Sequence, residues 1–172
     1  MSVFKGERIQ TKEGDEIDFL LNWDGLLLTY RNVDYHKKVD VVIPKVFPDG
    51  FVVKSISSYS CVGNFRKVTI SDEICDIRCG AFGDAKIEEI CWSAGCTTIP
   101  DQCFERSTLR KITNVANISE IGEYAFSQTN LEEIDLSGSK IMTIAEFAFF
   151  NCPKSSVIMP YYFSEEDKAK CF

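Results

Sequence analysis

Six apolar positions recur along this 172-residue chain at a nearly constant interval, and no feature of the sequence constrains the fold more tightly. Counted from Ile121, the stretch ISEIGEYAFSQTNLEEIDLSGSK places Ile118 at −3, Phe126 at +5, Leu131 at +10, Ile134 at +13 and Leu136 at +15. The preceding unit carries Cys96, Ile99, Phe104, Leu109, Ile112 and Asn114 at the same offsets. The one before it carries Ile74, Ile77, Phe82, Ile87, Ile90 and Trp92. The following unit gives Ile141, Ile144, Phe149, Val157 and Met159, with Lys154 standing in the leucine position. A looser first unit has Val53, Ile56, Cys61, Phe65, Val68 and Ile70, its last three positions one residue early. The anchors Ile56, Ile77, Ile99, Ile121 and Ile144 are 21, 22, 22 and 23 residues apart.

Neither the helical nor the strand period generates this pattern alone, but one coil of a solenoid does. The L-x-x-I-x-L part ends in alternation, which suits a short strand with Ile134 and Leu136 facing inward. The EYAF part, with small Ala125 beside Phe126, suits a tight helical or 3-10 turn on the opposite side. Offset +8 holds Ala85, Ser107, Thr129 and Cys152, all small, as a bend inside a stack requires. A single coil has no means of burying its apolar face, whereas stacked coils share one continuous core.

With those residues in view, the units resemble BspA-type leucine-rich repeats, whose pattern runs roughly I-x-x-I-x-x-x-A-F-x-x-C-x-x-L-x-x-I-x-[LI]-P. IGEYAFSQTNLEEIDL and IAEFAFFNCPKSSVIMP carry it well; IPDQCFERSTLRKITN and IRCGAFGDAKIEEICW carry it with substitutions. VDVVIPKVFPDGFVVKSI is similar to the family's approach to its first coil, so the resemblance spans about residues 26 to 160. Cys61 in place of Phe, Asn114 at an inward strand position and Lys154 in place of Leu depart from the pattern. The expected architecture is an α/β repeat solenoid, a leucine-rich-repeat-like right-handed superhelix of about five 21–23-residue coils. A parallel strand sheet forms one face, short helical or 3-10 turns the other, and an N-terminal β-hairpin caps the stack.

Open ends of a stack need covering. IDFLLNWDGLLLTYR reads as an antiparallel hairpin around Asp24-Gly25, closing the N-terminal end. SEEDKAK, with Ser164 as cap, acids first and lysines later, reads as a short C-terminal helix. The expectation is one domain over 1–172: hairpin cap and lead-in strand at 1–48, five repeats at 49–160, and a capping tail at 161–172. The net charge of −7, with HKK at 36–38 the sole basic cluster, disfavours nucleic acid and anionic membranes as partners. No run of about 18 apolar residues suggests a transmembrane helix. MSVFKGERIQTKEGDE lacks the apolar centre of a signal peptide, which points to the cytoplasm. The eight cysteines are expected to be mostly free thiols, because a chain this long and apolar has no need of staples.

Catalytic and metal chemistry find little footing. His36, the lone histidine, sits in a charged loop, and Cys75-x3-Cys79 lacks zinc-finger spacing and a second pair. No catalytic residue, metal site or cofactor is expected. The functional surface is instead the outward side of the strand sheet: Lys67 and Thr69, Glu89 and Cys91, Lys111 and Thr113, Glu133 and Asp135, Ser156 and Ile158. Its mixed polarity suits a protein partner. The expected function is a non-enzymatic protein-binding scaffold that recognises a partner on this face. The resemblance adds adhesion at a cell surface, since such family members are often microbial surface proteins. An intracellular scaffold or regulator is the alternative, and an enzyme using a reactive thiol such as Cys91 a minor one.

Overall fold

The structure is a computed structural model and describes residues 4–172. Four longer strands open the chain: β1 (Phe4–Gln10), β2 (Glu16–Asn22), β3 (Leu26–Asn32) and β4 (Val39–Ile43). Each coil then contributes two parallel strands, a short one at the anchor isoleucine and a second at the L-x-x-I-x-L segment. In order these are β5 (Ser55–Ile56), β6 (Cys61–Val62), β7 (Asn64–Ile70), β8 (Asp76–Ile77), β9 (Lys86–Cys91) and β10 (Thr98–Ile99). They continue with β11 (Lys111–Thr113), β12 (Glu120–Ile121), β13 (Ile134–Asp135), β14 (Thr143–Ile144) and β15 (Val157–Ile158), before helix α1 (Glu165–Lys170). Only β6, ahead of β7 in the first coil, falls outside that two-strand scheme.

The register places like positions of successive coils side by side. Ile56 pairs with Ile77 and Ile121 with Ile144 in the short strands; Val68 pairs with Ile90, and Ile90 with Ile112, in the longer ones. Between the side of the short strands and the side of the longer ones lies the core. Phe82, Phe104, Phe126 and Phe149 are fully buried and stack coil upon coil, their ring centroids 5.5, 5.2 and 5.2 Å apart. Trp92 packs edge-on against Phe82 and Phe104. The small residues at offset +8 are all buried, as the bend demands.

The side opposite the strand sheet differs from the helical or 3-10 turns expected there. In each of the middle coils three i→i+3 turns follow one another: the N–H groups of Cys103, Glu105 and Ser107 donate to the carbonyls of Pro100, Gln102 and Phe104. The alternate N–H groups, of Gln102, Phe104 and Arg106, donate to Glu123, Ala125 and Ser127 of the next coil at 2.8, 2.8 and 2.9 Å. A helix directs every N–H to its own carbonyls and would leave none for the neighbour. The alternation is achieved by left-handed residues at offsets +3 and +7 in every coil. Offset +3 holds Tyr59, Gly80, Gln102, Tyr124 and Phe147, and offset +7 holds Gly63, Asp84, Arg106, Gln128 and Asn151. Among the described residues a 3-10 turn occurs only at Lys154–Ser156, in the last coil.

The three departures from the repeat are each accommodated differently. Cys61 is buried in the Phe position, so the ring stack begins one coil later, at Phe82. Asn114 does not face inward: it is exposed, with φ of 66°, and its Nδ2 donates to the Trp92 carbonyl at 2.7 Å. Lys154 is exposed, and its ammonium lies 5.7 Å over the Phe172 ring.

Both ends extend the stack. The β2–β3 hairpin turns at Asn22–Gly25, where Gly25 has φ of 88° and a Cβ would stand 2.7 Å from the Val52 carbonyl oxygen. β3 then runs parallel to β5 and β6, and β4 runs parallel to β7. Together β3 and β4 therefore act as a half-coil ahead of the first repeat. β1 adds antiparallel to β2, a strand not read from the sequence. At the other end Ser164 and Asp167 form a capping box on α1. The carbonyls of Lys170 and Cys171 accept from the N–H groups of Phe147 and Phe149, where a further coil would otherwise stand, and Phe172 stacks on Phe149.

Candidate functional site

The strand face is built from β4, β7, β9 and β11 in parallel register, continued by a bridge from Lys111 to Glu133 and by the β13–β15 pair. Inward residues alternate with outward ones toward the end of each strand, which sets two outward side chains in fixed rows. The first row reads Asp40, Lys67, Glu89, Lys111, Glu133, each beside the next in register. Its charges alternate in sign from β4 through the fourth coil. The second row reads Val42, Thr69, Cys91, Thr113, then Asp135 and Ile158.

Of the ten residues assigned to this face from sequence, nine lie on it. Lys67, Thr69, Glu89, Cys91 and Thr113 are half-buried; Lys111, Glu133, Asp135 and Ile158 are exposed. Ser156 is the correction: it is 2% exposed, and its hydroxyl donates to the Pro153 carbonyl at 2.6 Å. Lys154 and Pro153 turn the chain into a 3-10 turn there, so the strand starts only at Val157 and Ser156 rotates inward. Asp40 and Val42 were missed because β4 precedes the first recognisable repeat.

A third row was missed although the sequence carries its signal. Arg66, Glu88, Arg110 and Glu132 stand one residue before the first row, giving like-charged doublets RK, EE, RK and EE roughly every 22 residues. These charges pair across strands. Arg66 clasps Asp40 with two hydrogen bonds of 2.8 Å, Lys38 pairs with Glu88, and Arg110 Nε donates to Glu132 at 2.9 Å. Among the described residues no ion pair engages Lys67, Glu89, Lys111 or Glu133. Arg66, Glu88, Arg110 and Glu132 are thus bound laterally, as is Asp40 at the N-terminal end of the first row, while Lys67, Glu89, Lys111 and Glu133 stay open. A depression of about 420 Å³ lined by Arg110, Lys111, Glu132, Glu133 and Asp135 marks its C-terminal half. Within it, the Ser137 hydroxyl and N–H donate to Asp135 Oδ1 at 2.6 and 2.9 Å and hold that carboxyl below the usual range.

A larger depression, about 470 Å³, lies on the antiparallel β1–β2–β3 part of the N-terminal sheet, between Gly6, Leu20 and Thr29 and the Arg8–Asp18–Arg31 ion cluster. The cysteines are distributed otherwise. Cys75 and Cys79 are exposed and Cys91 half-buried, while the remaining five are buried. Burial pushes the Cys61 thiol up to about 12 and the Cys171 thiol up to about 11, so both stay protonated near neutrality. His36 is exposed in its turn, its backbone N–H donating to Asp34. Among the described residues no helix is long and apolar enough to cross a membrane.

A stack of two-strand coils around a phenylalanine ladder, with a parallel strand face, defines a leucine-rich-repeat solenoid. Residues 52–169 match the BspA type leucine rich repeat region in six copies, and the chain belongs to that family. Among solved structures it is similar to a leucine-rich repeat protein from Bacteroides ovatus, at 21% identity and a TM-score of 0.61, over 93% of this chain and 40% of that one. It is also similar to the pneumococcal vaccine antigen PcpA, at 21% identity and a TM-score of 0.54, over 83% of this chain and 41% of that one. The chain thus spans about two fifths of the length of each. No curated protein matches it.

Proposed function

We propose that this chain is a non-enzymatic protein-binding scaffold whose strand face, centred on Lys67, Glu89, Lys111 and Glu133, receives a protein partner. The observation that carries the reading is the contrast between the two charged rows. Charges bound laterally add little to recognition, whereas open charges held in register on a rigid sheet supply specificity and steer encounter. Thr69, Cys91, Thr113, Asp135 and Ile158 complete the surface with hydroxyls, a thiol and an aliphatic edge. Adhesion at a cell surface is the finer reading, and the likeness to a vaccine antigen supports it.

The test exchanges two charges without changing composition. With the chain as bait, Lys111→Glu combined with Glu133→Lys should keep the parent melting temperature and lose the proteins that the parent captures. Retention of the same proteins by the variant would remove the strand face as the site. Captured matrix or host-surface proteins would support adhesion, and intracellular ones a scaffold within the cell.

A further inference from the structure

The outer row has a property that a merely solvated face does not need. Beyond Asp40, which Arg66 binds, its signs alternate over an even run, + − + − from Lys67 through Glu89 and Lys111 to Glu133, so this stretch is complementary to its own reverse. A half-turn about an axis lying in the face, parallel to the strands and passing between β9 and β11, inverts the order of the coils and leaves each row facing itself. Glu89 then stands opposite Lys111 of a second copy and Lys67 opposite Glu133, each pair occurring twice, as an isologous interface requires. The same operation sets Val42 opposite Ile158, two exposed aliphatic side chains at 55% and 43% exposure that otherwise face water at opposite ends of the row. It also sets Thr69 opposite Asp135 and Cys91 opposite Thr113, so no like charges meet. A parallel arrangement with coils in step would place every charge on its own sign.

We propose that the strand face is a self-recognition surface on which a second copy of this chain docks antiparallel, about a two-fold axis between β9 and β11. The inference rests on the strand-face reading above and names its partner. Six strands spaced by about 4.8 Å give a face roughly 24 Å long, and two or three outward side chains give it a width of about 15 Å. The area per copy is therefore roughly half the ~800 Å² of a standard interface, so the dimer is weak and forms at high local concentration. Two copies of charge −7 repel at long range. At about 0.15 M salt that repulsion is screened within ~8 Å, whereas pairs in contact are screened much less.

Sedimentation velocity at about 0.15 M salt and up to about 1 mM protein tests this with three chains of identical composition. The parent should dimerise reversibly. Lys111→Glu with Glu133→Lys puts like charges at every outer-row contact and should weaken association about tenfold or more. Glu89→Lys with Lys111→Glu restores opposite signs across the two-fold axis while breaking neighbour pairs within each copy, and should return association to near the parent level. Melting temperatures show that each variant is folded; should either fail to fold, Lys67→Glu, alone and with Glu133→Lys, makes the same comparison at the other pair. A monomeric parent, or equal loss in both double variants, would overturn the proposal. If the parent is monomeric but its captured proteins are still lost on charge exchange, self-recognition falls and the strand-face reading stands.

Discussion

Tyr59, Gly80, Gln102, Tyr124 and Phe147 occupy one backbone position, offset +3, with φ between 52° and 67° in every coil. No chemical trait unites them, and Gly80 alone is of a residue type that betrays the conformation. The conformation is imposed by the neighbouring coil, whose carbonyls claim alternate N–H groups. A non-glycine residue held there costs about 1–3 kcal/mol, offset by hydrogen bonds that each contribute about 1 kcal/mol. Gln102 isolates the effect, because its side chain is exposed. Gln102→Val, β-branched and unsuited to positive φ, should lower stability by about 1–2 kcal/mol. Gln102→Gly should leave it unchanged or raise it. Equal losses by urea denaturation in the two variants would contradict the left-handed assignment.

At the scale of elements, legibility depended on whether an end carries a local signal. The β2–β3 hairpin was readable because Asp24-Gly25 demands a turn between two apolar runs, and α1 because a capping serine precedes acids. β1 was not: FKGERIQ alternates only weakly and owes its place to β2. What ties that sheet together is also invisible locally. Asp18 on β2 accepts from Arg8 Nε at 2.8 Å and Arg31 Nη2 at 2.7 Å, which hold its carboxyl below the usual range. Its folded pKa lies below its unfolded one, so the stabilisation is present above about pH 4 and is lost as pH falls through the folded value. Asp18→Asn should accordingly be less stable at neutral pH but lose less on acidification. Melting temperatures between about pH 7 and pH 2 check this; parallel curves for the two proteins would exclude a role for the cluster.

For the molecule as a whole, stability resides in contacts between neighbouring coils. Phe126, at 0% exposure, stacks on Phe104 and Phe149 at 5.2 Å each, so its truncation opens a cavity shared by three coils. Phe126→Ala should cost about 3–5 kcal/mol, read as a large fall in melting temperature. An unmoved transition would refute the ladder.

Spacing along the chain was enough to determine the number of coils, the inward isoleucines, the phenylalanine positions and the strand face, because burying an apolar residue per coil fixes the period. The tertiary structure alone decided how the charge doublets divide. RK and EE recur visibly in the sequence, yet which member of each doublet pairs with a neighbouring coil depends on where the backbone aims two adjacent side chains. That direction is set by the register between coils. Arg66, Glu88, Arg110 and Glu132 are thereby bound across strands, and Lys67, Glu89, Lys111 and Glu133 are left facing whatever meets the surface.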